Sequence, residues 1–211
     1  MIYSSRPNLM IGFHGCDESV RNELVTNPSK IKKSREKFDW LGHGFYIWEN
    51  NYDRALRWSE DKFEQGRITI PSVVGVVYQL DYCLDFTDSQ FIDILSDYYE
   101  LFKEDLKFTG KTLPKNKDVA KDIHKDLLLR ELDCAVIEYL HQKIEDGIKD
   151  DEDQKGFSKI KRFDTARGIF TEGGPAYEGA GIQTKNHIQI CIRNLNCIKG
   201  FFVPREEIKF P

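Results

Sequence analysis

The chain has no apolar run approaching the roughly 20 residues that a membrane-spanning helix needs, so none of its 211 residues reads as a bilayer span. It also lacks a secretory start: Met1 to Met10 carries polar residues and Pro7 where a signal would hold an unbroken apolar stretch. Its five cysteines, Cys16, Cys83, Cys134, Cys191 and Cys197, are odd in number and scattered. That excludes a regular disulfide framework and points to a reducing, cytoplasmic setting. A basic surplus is missing too, with 31 Lys and Arg against 35 Asp and Glu and a net charge of −4. A general nucleic-acid binder would show the reverse. There is no Gly-x-x-x-x-Gly-Lys-Ser/Thr loop and no Gly-x-Gly-x-x-Gly after a strand. Cys191, Cys197 and His187 fit no zinc spacing, so no metal is expected.

With 40% hydrophobic and 31% charged residues, the chain reads as a soluble globular protein, expected to form one domain over 1–211. Leu9 to Phe13 reads as a strand running into Gly12-Phe13-His14-Gly15, and Glu18 to Leu24 has helical character. Trp40 to Trp48 is short, aromatic and Gly-punctuated, which suits a strand or extended loop. Asn50 or Asn51 then caps a helix with Tyr52, Ala55, Leu56, Ser59 and Phe63 on one face, stopping near Gly66. Val73 to Leu80 is the strongest buried strand, because its β-branched run suits burial on both faces. A helical middle follows over about 89–159: one helix from Ser89 to Leu106, then Asp118 to Ile148 in two pieces meeting near Asp133, with Asp146 to Gly156 as a mobile loop. Thr165 to Thr171, His187 to Ile192 and Ile198 to Val203 return to strands. Such segregation predicts an α+β fold. The basic run Lys30 to Lys37 and the acidic run Glu145 to Asp153 read as solvated loops, the basic one also suiting phosphates of a cofactor or acceptor.

Three strand-borne polar positions stand out: His14, Tyr46 and Gln189. Each sits where strand propensity favours an apolar residue, and glycines lie close to the first two, where they let a ligand approach the backbone. Period-two alternation over His187 to Ile192 puts His187, Gln189 and Cys191 on one face and Ile188, Ile190 and Ile192 on the other.

Gly12-Phe13-His14-Gly15 followed by Leu41-Gly42-His43-Gly44-Phe45-Tyr46 resembles the paired signature of the ADP-ribosyltransferase fold in its His-Tyr-Glu class, that of diphtheria-type toxins and poly(ADP-ribose) polymerases. The likeness to a bacterial branch is closer, through Ala55-Leu56-Arg57-Trp58 on the following helix and the strand Gln189-Ile190-Cys191-Ile192. The resemblance implies a split β-sheet core with a helical middle insertion, NAD as co-substrate, and transfer of ADP-ribose to a protein or nucleic-acid acceptor. It further implies a bacterial toxin or defence effector, with a partner protein to neutralise it. His14 would bond the adenosine-side ribose, Gly15 would offer its backbone to the nicotinamide carboxamide, and Tyr46 would stack on the nicotinamide ring. Arg167 would neutralise the pyrophosphate or form a structural salt bridge. The family's third residue is normally a carboxylate, and here Gln189 stands there, with His187 as the alternative under a shifted alignment. A neutral amide stabilises a developing cation less than an anion does, which favours mono-transfer over polymer synthesis. Glu178, in the loop before the strand, is the first choice to supply the missing carboxylate, and Glu172 the second. A non-catalytic NAD or ADP-ribose binding module and an NAD glycohydrolase remain open beside the transferase.

Overall fold

Alternation of small and apolar residues in Met10–Asp17 forms β1, which pairs antiparallel with Pro71–Tyr78 (β3) from Met10↔Tyr78 to Asp17↔Pro71. These two strands are the spine of one seven-stranded sheet in a computed structural model that describes residues 9–120 and 122–205. The remaining strands are Phe45–Glu49 (β2), Cys83–Asp85 (β4), Thr165–Phe170 (β5), His187–Ile192 (β6) and Ile198–Phe202 (β7). Their order across the sheet is β4-β5-β6-β2-β1-β3-β7, antiparallel except for the β4–β5 pair. The fold is therefore α+β. Met1 to Asn8, most of the segment read as lacking a secretory start, and Lys121 in the expected helical middle lie outside the described residues.

The register assigns the faces. Ile47, Val74, Val76, Ile190 and Ile192 point to one side and pack with Leu24 of helix α1 (Glu18–Thr26). Each such side chain contributes about 1.5–3 kcal/mol by leaving water, and all but Leu24 are 0% exposed. Helix α2 (Tyr52–Glu64), capped by Asn51, covers the other face at the β1–β3 end through Ala55. Helices α3 (Ser89–Phe108) and α4 (Glu131–Lys155) cover that same face at the β4–β5 end through Phe91 and Leu140, which pack on Ala166 and Cys191. Between α2 and the α3–α4 pair the sheet is left with a cleft.

The sequence and the structure part in three places. First, where a split β-sheet core is expected, the described strands form one sheet. The β1–β2 ladder holds only two register pairs, Gly12↔Glu49 and Phe13↔Trp48. Second, residues 111–120 and 122–130 are not helical. The Asp118 and Asp122 side chains accept from the backbone N–H groups of Leu127, His124 and Asp126, an alternative to helical bonding. Lys125 and Leu127 also take positive φ of 56° and 52°, outside any helix. The helix that was to meet a second piece near Asp133 instead starts at Glu131 and runs unbroken. Third, Asp146 to Lys155 continues α4 rather than forming a mobile loop. Its charges alternate at helical spacing, as in the Lys155–Asp151 pair, and face solvent. The strand β4 had no sequence signal, being three residues long.

Gly15 is where β1 and α2 meet, and a Cβ there would lie 2.1 Å from the Ala55 carbonyl oxygen. Backbone cannot swing aside as a side chain can, so Gly15→Ala should push α2 off the sheet. The expected loss is about 1–3 kcal/mol of unfolding free energy, the range for overpacking. Denaturant titration checks it, and an unchanged midpoint would show that α2 is not seated as described.

Candidate functional site

The cleft begins where the β1–β2 ladder stops. Beyond Phe13 the next residue, His14, turns its imidazole across the gap, and its Nδ1 lies 2.8 Å from the Tyr46 carbonyl oxygen. A carbonyl only accepts, so Nδ1 carries the proton and donates. The side chain thus replaces a missing ladder bond, and Nε2 is left with a lone pair. Burial pushes the His14 pKa below the ordinary 6.5, only partly offset by that bond, so the ring is neutral near pH 7. The ring also lies 4.5 Å, centroid to centroid, from Phe45.

Tyr46 lines the same opening. Its hydroxyl donates to the Gly42 carbonyl (2.7 Å) and accepts from the Leu41 N–H (2.9 Å). Burial raises its pKa well above 10, so it is a fixed neutral ring with no acid–base part to play. Gln189, two strands from His14 through Trp48, lies on the cleft floor. Its Oε1 accepts a 2.6 Å bond from the Trp40 indole N–H, which turns its amide nitrogen the other way as a donor. Trp40 can lie there because β5 has no side chain at Gly168, where a Cβ would meet the indole at 2.8 Å.

His14, Tyr46 and Gln189 therefore meet in one cavity of about 730 Å³. It merges with a second of about 860 Å³ through shared walls, among them Trp40, Trp48, Trp58 and Gln189. All three tryptophans of the chain line it. Nothing singled out Trp40, Trp48 or Arg54 as site residues in sequence, and Trp58 figured only in a motif. Clustering of every tryptophan between positions 40 and 58 was the available signal. Lys32, from the basic run, also lines the cavity beside His14.

At the far end of the cleft lie Arg54 of α2, His187 of β6 and Glu172, just past the end of β5. Glu172 is 8% exposed, ion-paired with Arg54, and 3.8 Å from His187 Nδ1. Of the two carboxylates expected from sequence, Glu172 is thus the one brought to the cleft. Glu178, the first choice from sequence, is exposed on the 171–186 loop and is not among the lining residues. His187 donates Nδ1–H to the Lys185 carbonyl at 2.7 Å, and burial lowers its pKa below 6.5.

Arg167 takes the second of its two expected roles, the structural salt bridge. It follows the parity of Glu49 and Ile190, opposite to Gln189, and so leaves the sheet on the other face. There it bonds Glu49 (2.6 and 3.1 Å) and Asp85 (3.2 and 3.3 Å). Those two carboxylates hold it, and it is not among the residues that line the cleft, which leaves the structural salt bridge.

Comparison with family models, curated proteins and solved structures found no match to this chain. The chemistry must be argued from the cleft itself. Its flat aromatic walls suit planar rings. Its two histidines offer neutral acceptors, while Arg54, Lys32 and the Gln189 amide offer donors.

The histidines also set a pH response. The unfolded chain protonates both near 6.5, whereas the folded chain does so only at lower pH. Their contribution to stability is therefore full above 6.5 and falls as acid is added through the folded midpoints. Ring-carbon NMR should place both midpoints below 6.5, and a midpoint at or above that value for His14 would contradict the tautomer and burial described.

Proposed function

We propose that the chain binds NAD in this cleft and transfers a single ADP-ribose unit to a macromolecular acceptor. The observation that carries the reading is the meeting of His14, Tyr46 and Gln189, from three different strands, at the opening between β1 and β2. They are the residues on which the resemblance to the His-Tyr-Glu class of ADP-ribosyltransferases rests. The geometry fits their roles. A neutral His14 with its Nε2 lone pair free suits a ribose hydroxyl, and the fixed Tyr46 ring beside the indoles suits stacking on nicotinamide. The β1 backbone at Gly15, past the last pair with β2, suits a carboxamide.

In the reaction the bond between the nicotinamide nitrogen and ribose C1′ breaks with its electron pair leaving on nicotinamide. A lone pair of the acceptor forms the new bond to C1′, and the acceptor's proton departs. An oxocarbenium-like transition state gains less from the Gln189 amide than from a carboxylate, which supports single-unit transfer. A toxin or defence effector held in check by a partner protein is the role that such a transferase would fill.

A second reading has its own observation. Gln189 Oε1 is held by Trp40 and Glu172 by Arg54, so neither is free of a partner. That suits a module that binds NAD or ADP-ribose without turnover, or an NAD glycohydrolase if water reaches C1′. Incubation with labelled NAD and cell extract separates the three. Transfer gives nicotinamide with a labelled macromolecule, hydrolysis gives free ADP-ribose, and a binder gives a calorimetric signal alone. For a transferase, Tyr46→Ala should lower nicotinamide release about a hundredfold or more, the scale of losing ring positioning. Arg167→Gln should weaken the fold but leave the KM for NAD within about twofold, since the site loses no uniform binding. Equal rates in wild type and Tyr46→Ala would sink the proposal.

A further inference from the structure

Among the described residues five buried side-chain polar atoms have no hydrogen-bond partner, and two of them, Trp48 Nε1 and Arg54 Nε, belong to neighbouring residues of the cleft wall. Trp48 is 3% exposed, and the Arg54 guanidinium carbon lies 5.7 Å from the centre of its ring. A buried N–H without a partner is expensive, and apolar replacement would relieve it. Two together, both donors, in one cleft wall, describe a place that takes an oxygen acceptor. His187 stands at the same end of the cleft as Arg54, its Nδ1 committed to Lys185, so its Nε2 offers a lone pair to an N–H or O–H. Flat faces surround the group: the indoles of Trp40 and Trp58, and Phe170, which lies under His187 at 5.6 Å.

We infer that this end is the acceptor subsite, and that the acceptor is an unpaired nucleobase read by its edge. The inference rests on the proposed transfer from NAD but concerns a different part of the cleft. Guanine and thymine or uracil are planar, carry a carbonyl oxygen for Trp48 Nε1 and Arg54 Nε, and set a ring N–H beside it for His187 Nε2. Single strands present such edges, and stacking on aromatic side chains holds them. Protein acceptors fit less well. A carboxylate, a guanidinium or a Ser hydroxyl of a protein needs no pair of aromatic walls around it. On transfer, a base nitrogen loses its proton to His187 Nε2 and forms the bond to ribose C1′. The bond from C1′ to nicotinamide breaks, and its electron pair leaves with nicotinamide.

The test is binding first and chemistry second, on the full chain. Short single-stranded homo-oligonucleotides, one for each base, are titrated by calorimetry without NAD, and then incubated with NAD and examined by mass spectrometry. At least one base should bind and gain one ADP-ribose. Trp48→Phe keeps a ring and removes the orphan N–H, so it should weaken that binding about tenfold, with a smaller loss of NAD affinity because the ring also lines the NAD cavity. Arg54→Lys, which retains a cation for Glu172 but has no Nε–H, should do the same and serves if Trp48→Phe does not fold. His187→Gln should slow labelling far more than it weakens oligonucleotide binding. The inference is overturned if no base binds, if the variants lower NAD and oligonucleotide affinity alike, or if only protein is labelled in a nuclease-treated extract. Failure of the wild type to bind NAD would sink the transferase reading instead, and base binding would still judge the subsite.

Discussion

The cleft depends on the point at which β1 and β2 cease to pair. A strand pair in the middle of a sheet ordinarily continues, because each backbone group left without a partner away from water is costly. Here it stops after Phe13↔Trp48, and the Tyr46 carbonyl that faces the gap is claimed by His14 Nδ1. One side chain thus holds the two halves of the sheet together while keeping them apart. The bond fixes the tautomer of His14, burial keeps the ring neutral, and the strand edge beyond it stays open to a ligand. Were the ladder to continue, His14 and Tyr46 would be ordinary residues of a closed sheet.

Around that opening the polar groups are arranged by prior commitments. Trp40 takes the oxygen of Gln189, Gly42 and Leu41 take the hydroxyl of Tyr46, Lys185 takes one nitrogen of His187, and Arg54 takes Glu172. Each bond removes a degree of freedom and presents the remaining atom in a fixed sense, which is how a site is preorganised. The consequence for Gln189 is chemical: with its oxygen on Trp40, its amide nitrogen is presented as a donor. A carboxylate at the same place could only accept.

How far the sequence foretold this depends on the range of the physics involved. The isoleucines of β6 alternate with His187, Gln189 and Cys191 as period two requires, and Asn51 caps α2 as a short acceptor should. Those are local rules. His14 and Tyr46 were legible because glycines beside them broke the apolar pattern. Arg167 and Glu178 were misplaced for a different reason. The face of Arg167 follows from its register against Gln189, and the reach of Glu178 follows from a long loop, and neither is a local property. Glu172 lies just past the end of β5, where the register with β6 brings it beside His187, so the strand pairing is what sets it ahead of Glu178. The non-helical stretch before α4 was lost to competition between Asp side chains and the backbone, which composition alone does not resolve.

The unpaired donors of Trp48 and Arg54 then ask for a reason. Each costs about 1–3 kcal/mol if nothing meets it, a large share of the roughly 5–15 kcal/mol that holds a domain of this kind together. Phenylalanine at position 48 would keep most of the packing in the cluster with Ala55 and Val73 and remove the orphan N–H. The indole is therefore poorly explained by packing alone. It is better explained by a group that arrives with an oxygen, in a cleft whose other walls are flat and whose nearest histidine is held as an acceptor. A stability cost carried by two neighbouring residues of a cleft wall is the pattern expected where binding, rather than folding, sets the choice of residue.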